Sequence, residues 1–303
     1  MRFSIFQESR KGTRKANQDR TSYAYTRDAL LMVVADGMGG HLHGEVASQI
    51  AVQLLTEAFQ REAKPTLPDP LAFLQKSILD AHFALGDYAK ARNLVESPRT
   101  TCVACVVQDA TAYWAHAGDS RLYHVREGRI NAQTRDHSRV QMLVDQGRVR
   151  EEAVAAHPDR NKIFNCVGAS ARPQVELSKP APLREDDTVL LCTDGLWGPL
   201  TGKLITATLV KSNLMKAIPE LLDLAELRAG PECDNLSVVA MNWEGTRRGP
   251  AGEVSTQTLA LDGISTQLGD FSKADNSDLT DQEIERAIQE IREAIRKHMP
   301  QKP

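Results

Sequence analysis

The sequence predicts a layered α+β domain built on antiparallel sheets. Short β-rich runs follow one another in groups, and two consecutive helical patterns separate those groups. The strict strand–helix alternation that a parallel doubly wound sheet requires is missing.

The elements come in order. "RFSIFQES", "RTSYAY" and "ALLMVVA" read as three successive strands. Residues 44 to 63, "GEVASQIAVQLLTEAFQREA", then place Val46, Ile50, Leu54 and Phe59 near helical spacing. After a proline-rich break at 65 to 70, "DPLAFLQKSILDAHFALGDYAKA" repeats that pattern, so two amphipathic helices are expected. "TCVACVVQ", "AYWAHAG" and "RLYHVREG" return to strand character, several runs ending at Gly or Asp. Residues 138 to 168 read as short helical pieces broken at Gly147 and Pro158, an insertion between strands, after which "TVLLCTD" and "NLSVVAMNW" supply the last two strands. Beyond "SVVAMNWEG" periodicity is lost and Gly, Ser, Thr and Asp accumulate, so the folded domain is expected to span 1–245 and a linker 246–277. In the expected tail helix, 278–299, Ile284, Ala287, Ile288, Ile291 and Ile295 form one stripe, with Thr280 and Glu283 spaced as a capping box. A narrow stripe of that length needs a partner surface to be stable in water.

Composition excludes several function classes. With 41% hydrophobic and 25% charged residues over 303 positions, the chain has the balance of a globular protein with a sizeable core. A formal net charge of −3 supplies no field to attract nucleic acid or an anionic membrane. The N-terminus carries no apolar leader core, and the longest apolar runs fall short of a membrane span, so a soluble, cytoplasmic protein is expected. Cys102, Cys105, Cys166, Cys192 and Cys233 are an odd, scattered set that fits a reducing compartment. The Cys102/Cys105 pair sits within one strand, where positions three apart point to opposite faces, so both read as core thiols.

Four aspartates share one context. Asp36 follows "LLMVVA", Asp119 follows "AYWAHAG", Asp194 follows "TVLLCT" and Asp234 precedes "NLSVVAMNW". Each stands at the edge of a strand, where loops from several strands can converge. Any one of them fits a turn, but four in the same context point to a shared site. Convergent carboxylates repel one another unless a cation compensates them, and oxygen ligands suit Mg²⁺ or Mn²⁺ rather than zinc. The glycines after Asp36 and Asp194 allow a sharp turn and the approach of a carbonyl to a metal. The loop "VVADGMGGHLHGE" lacks both a dinucleotide fingerprint and a Walker lysine, and its His41/His43 pair has no further His/Cys cluster to complete a zinc site. Metals held by the carboxylates would activate water for attack on phosphorus, and a phosphate dianion would call for a guanidinium fork. Arg14, five residues before Asp19, could supply the fork or could equally be a solvated surface residue.

Taken in order, "GTRKANQD", "VVADGMGGH", "HAGDSRLY", "TRDHS", "LLCTDGLW" and "CDNLSVV" resemble the bacterial metal-dependent serine/threonine phosphatases of the protein phosphatase 2C family, over roughly residues 1 to 245. The resemblance implies a four-layer α-β-β-α sandwich with a binuclear Mg²⁺ or Mn²⁺ centre at one end of the paired sheets. It implies that Asp36 bridges both metals with the Gly37 carbonyl on one of them, and that Asp194 and Asp234 complete the pair. Asp119 corresponds to a ligand of a third, weaker metal, Arg14 to the phosphate-binding arginine, and Asp19 to the acidic residue that positions metal-bound water. Asn235 would order its loop. The implied reaction is direct attack of activated water on a phosphoserine or phosphothreonine ester of a protein.

Two departures from the family pattern stand out. Met38 occupies the position where eukaryotic members keep a histidine proton donor, which leaves His41 or a metal-bound water to protonate the leaving alkoxide. In the flap, 138 to 168, Phe164 and Asn165 stand where members commonly carry a Thr-Arg pair. The implied partners are a phosphorylated protein and a cognate Ser/Thr kinase, and the "HPDRNKIF" flap is similar to members associated with type VI secretion. Two alternatives remain: a non-catalytic domain of the same fold that binds a phosphoprotein or kinase, and a hydrolase of small phosphate esters.

Overall fold

The computed structural model describes residues 1–38, 43–150, 153–154, 157–245 and 265–268. His41, the expected tail helix and most of the expected linker lie outside the described residues.

Two sheets form, and every strand pair within them is antiparallel. The first contains β1 (Arg2–Arg10), β7 (Arg121–Arg126), β8 (Arg129–Gln133), β11 (Thr188–Cys192) and β12 (Leu236–Gly245), in the order β1-β12-β11-β7-β8. The second is built on β2 (Asp19–Tyr25), β3 (Ala29–Met38), β5 (Cys102–Gln108) and β6 (Thr111–Ala117). Short strands β4 (Arg99–Thr100), β9 (Glu176–Leu177), β10 (Ala181–Pro182) and β13 (Ser265–Leu268) complete it, with β10-β6-β5-β3-β2-β13 as its main path. Every run expected as a strand lies in one of these sheets.

α1 (Gly44–Glu62) and α2 (Pro70–Ala91) match the expected pair closely. At the start of α2, Asp69 accepts a hydrogen bond from the Ala72 N–H and Pro70 occupies the first turn, where its missing N–H costs nothing. In the insertion, α3 (Arg139–Asp145) is capped by Ser138, and the chain turns at Gly147 with φ +67°. α4 (Asp194–Trp197) is a single turn that opens on Asp194.

Two helices, α5 (Gly202–Lys211) and α6 (Leu214–Ala229), are absent from the elements expected above. Their signals were local: Thr201 caps α5 through the Leu204 N–H, and Leu214, Ala217, Ile218, Leu221, Leu222 and Ala225 form a buried stripe on α6. Pro219 within α6 obscures the pattern, because proline is unfavourable in a helix interior.

These helices complete four layers. Leu31, Val33, Ala35, Cys102, Ala104 and Val106 pack under α1 and α2. Leu30, Met32, Val34, Val103, Cys105 and Val107 face Leu122, Val189, Leu191, Val239 and Met241 of the other sheet. On that sheet's outer face Leu190, Cys192, Val238 and Ala240 lie against Ile205, Leu209, Ile218 and Leu222 of α5 and α6. β3 is therefore apolar without interruption from Ala29 to Ala35, because both of its faces are covered there. Cys102 and Cys105 fall on opposite faces as expected, and all five cysteines are buried and unpaired.

β12 ends at Gly245, where the composition changes. Inside the expected linker, Ser265–Leu268 pairs with Ser22–Tyr25 as β13 and covers an open sheet edge that local composition could not foretell.

Candidate metal centre

The antiparallel pairings bring five aspartates to one end of the two sheets. Asp19, at the start of β2, lies opposite Asp36, near the end of β3. Asp119 follows the end of β6, Asp194 follows β11, and Asp234 precedes β12, whose start pairs with the end of β11. Strand ends in an antiparallel sheet meet on one edge, so residues up to 215 positions apart in sequence come together there.

The carboxylates perturb one another. Burial first, and then the charges of Asp194 and Asp234, push the Asp19 carboxyl up to about 7 against the pull of hydrogen bonds from Thr193 and Ser237. Burial, then Asp19, Asp194, Asp119 and Asp234, hold Asp36 well above the carboxylate range. Asp119 is raised in the same way, first by burial and then by Asp194 and Asp136, and Asp194 rises to about 6 through burial and Asp234. Asp19 and Asp119 are each 2% exposed, and each has one buried carboxylate oxygen, Oδ1, without a hydrogen-bond partner. Buried orphan oxygens on mutually repelling carboxylates are costly unless a cation meets them. The donor set is entirely oxygen, and it fits hard divalent cations such as Mg²⁺ and Mn²⁺.

The surrounding side chains fix the geometry. Thr193 Oγ1 donates to Asp19 Oδ2 at 2.8 Å and accepts from the Ser237 N–H at 3.0 Å. Thr101 Oγ1 accepts from the Asp36 N–H and meets Ser120 Oγ at 2.7 Å, tying the Asp36 strand to the Asp119 loop. Trp197 Nε1 donates to the Asp119 carbonyl at 3.0 Å, and the Arg121 guanidinium lies 3.6 Å over the Trp197 ring while it forks onto Asp136. Thr193, Thr101, Ser120 and Trp197 were missed in the sequence, because Ser, Thr and Trp beside strand ends carry no signal of their own until the strands are paired.

Every expected site residue except His41, which lies outside the described residues, has a place. Arg14, 54% exposed at its side chain, makes a two-point ion pair with Asp234, Nε to Oδ1 at 2.8 Å and Nη2 to Oδ2 at 2.7 Å. The Asn235 N–H donates to Asp234 Oδ1 at 2.8 Å, and its side chain accepts from the Gln18 N–H and donates to the Lys11 and Ala16 carbonyls, gripping the segment that carries Arg14. Gly37 is packed so tightly that a Cβ would fall 2.1 Å from the Gly44 carbonyl oxygen and 2.7 Å from that of Gln18. Met38 closes β3 and pairs with Arg99. His43 sits edge-on to Tyr88, with its imidazole pKa lowered by burial and by Arg92.

Comparison with known proteins bears on this arrangement. Residues 7–212 match the family model described as Protein phosphatase 2C. The chain is 33% identical over 232 residues to the serine/threonine protein phosphatase PstP of Mycobacterium tuberculosis, a match that covers 76% of this chain and 43% of the relative. It thus spans less than half the length of that protein. The serine/threonine phosphatase stp of Listeria monocytogenes is 30% identical, with 80% of this chain and 97% of the relative covered. Among solved structures, the catalytic domain of PstP in complex with two manganese ions superposes with a TM-score of 0.67 at 30% identity, over 79% of this chain and 97% of that one. PppA, described as a key regulatory component of the type VI secretion system in Pseudomonas aeruginosa, superposes with a TM-score of 0.67 at 27% identity, over 80% and 99%.

Proposed function

The chain belongs to the protein phosphatase 2C family, and from that premise we propose that it is a metal-dependent serine/threonine phosphoprotein phosphatase. One observation carries the proposal: five aspartates converge at the end of the sandwich, burial and neighbouring carboxylates raise the pKa of Asp19, Asp36, Asp119 and Asp194, and two of the buried oxygens have no partners. A structural cluster of that kind would be destabilising, whereas a cation site accounts for it.

Asp36, Asp194, Asp234 and the Gly37 carbonyl are the proposed holders of two Mn²⁺ or Mg²⁺ ions, and Asp119 of a third, weaker one. Such ions, when bound, supply charge compensation and an activated water. The protein does the rest. Asp19, held by Thr193, is oriented to accept a hydrogen bond from the attacking water. Arg14 takes the phosphate oxygens in its planar fork. Its ion pair with Asp234 is half exposed and contributes only about 0–1 kcal/mol, so exchanging that partner for a phosphate dianion costs little. The leaving alkoxide takes its proton from His41 or from water in the site.

The proposed substrate is a phosphorylated protein, on which the enzyme opposes a cognate Ser/Thr kinase. The likeness to PppA supports components of a type VI secretion system as partners. Among the described residues no helix is long and apolar enough to cross a membrane. Five unpaired cysteines suit a reducing cytoplasm. The test is Mn²⁺-dependent phosphate release from a phosphothreonine peptide by the wild type and by Asp36→Asn. The variant is expected to lose activity, and chelation to abolish it in the wild type; equal activity in both proteins, or activity that survives chelation, would overturn the proposal.

A further inference from the structure

His137 immediately precedes the flap and takes no part in the chemistry above, yet it grips the residue before Asp119 by both of its polar backbone groups. The His137 N–H donates to the Gly118 carbonyl at 2.9 Å, and the Gly118 N–H donates to His137 Nδ1 at 3.2 Å. Gly118 has φ +117°, and a Cβ there would fall 2.7 Å from Thr101, so the turn is held in a conformation and a space reserved for glycine.

A second donor reaches the same lone pair. Asn165 Nδ2 lies 2.7 Å from His137 Nδ1. The orientation of this amide is set independently, because Asn165 Oδ1 accepts from the Gln174 N–H while Nδ2 donates to the Gln174 carbonyl. Two N–H groups directed at Nδ1 require it to be unprotonated, which puts the ring proton on Nε2, facing Glu176 Oε2 at 3.3 Å. The Phe164 N–H also donates to the His137 carbonyl at 3.0 Å. Both residues by which the flap departs from its relatives therefore bond to His137.

His116, His137 and Glu176 offer ligand atoms within 4.8 Å of one another, a spacing a metal ion could use. The tautomer argues otherwise. A metal on His137 Nε2 would move the proton to Nδ1, against the N–H groups of Gly118 and Asn165.

We infer that His137 is a positioning residue whose Nδ1 lone pair, shared by Asn165 and the Gly118 N–H, couples the end of the flap to the turn that presents Asp119. This inference rests on the proposed metal role of Asp119, but the hydrogen bonds that define the coupling are independent of any metal. An asparagine at 137 would place its amide oxygen where Nδ1 lies and keep both bonds, whereas a glutamine would place its oxygen nearer Nε2 and lose them. Asn165→Asp would present a carboxylate that demands a proton on Nδ1.

Two measurements test this. Imidazole ¹⁵N shifts of the metal-free wild type are expected to show His137 neutral and protonated on Nε2, and Asn165→Asp is expected to move that proton to Nδ1. Manganese titration by calorimetry is expected to show the weakest site about tenfold weaker in His137→Gln and Asn165→Asp, near wild type in His137→Asn, with the two tighter sites unchanged in all three. A wild-type His137 protonated on Nδ1 would overturn the inference without any variant having to fold, as would equal manganese binding by the Asn and Gln variants. A wild type that binds only two manganese ions would overturn the role of Asp119, and the nitrogen shifts would still decide the coupling.

Discussion

Asp19→Asn should make the metal-free protein more stable at neutral pH and leave its stability almost unchanged in acid. Asp19 is 2% exposed and its pKa rises from 3.8 to about 7, through burial first and then the charges of Asp194 and Asp234. The folded state therefore binds this proton more tightly than the unfolded chain does. Its contribution is fully present below pH 3.8 and is lost as pH rises to about 7. About three pH units at 1.36 kcal/mol each amount to about 4 kcal/mol for an isolated group. The repulsion is shared among coupled carboxylates and the amide buries an N–H of its own, so a single substitution should recover on the order of 2 kcal/mol. Asparagine keeps an oxygen for the Thr193 hydroxyl and sets its amide beside carboxylates that accept. Urea unfolding of the chelated proteins at neutral pH and near pH 4 reads the effect as a shift in midpoint at constant slope. Saturating Mn²⁺ should reverse the order, since the variant forfeits a charge that the cations compensate. A wild type as stable as the variant at neutral pH without metal, or a gain of equal size near pH 4, would refute the claim that Asp19 is held in the fold against repulsion.

Other consequences follow from the same geometry. Arg14→Ala should raise KM for a phosphothreonine peptide in steady-state assays more than it lowers kcat, with Arg14→Lys recovering only part of the loss, because an ammonium cannot fork. Gly37→Ala should abolish manganese binding in calorimetry, since the added Cβ would sit 2.1 Å from the Gly44 carbonyl oxygen and force the metal loop off α1. Leu31→Ala, beneath α1 and α2, should cost about 2–5 kcal/mol in denaturant unfolding without changing the metal dependence of activity. Deleting residues 276–303 should leave peptide turnover largely intact and change oligomeric state or partner binding, read by light scattering. A large loss of turnover would assign the tail to the catalytic fold.

How much of this was legible in the chain depends on how far apart the cooperating residues lie. β3 and the α1–α2 pair could be read because their signals, an unbroken apolar run and a helical stripe bounded by Asp69-Pro70, fall within a few residues. The signal of α6 was equally local, but Pro219 broke its pattern. The aspartates could be listed from their shared position at strand edges. What the list lacked was the reason for convergence, the antiparallel pairing that sets Asp19 opposite Asp36 and the end of β11 beside the start of β12. Thr193 and Trp197 lay beyond reach because each acts on a residue far away in the chain, on Asp19 and on Asp119, and for Asn235 the same distance hid its partners in the segment from Lys11 to Gln18.

Residue type and short-range order thus settle the chemistry on offer: hard oxygen ligands, a guanidinium fork and glycines that admit close backbone approach. Folding decides which of those groups repel, which are held still and which already have partners. Arg14 rests on Asp234, Asn165 on His137, and the unpaired oxygens of Asp19 and Asp119 are sealed from water. The physical reason is that pKa, orientation and unmet hydrogen-bonding capacity belong to an environment assembled from distant strands, and no single stretch of sequence contains that environment.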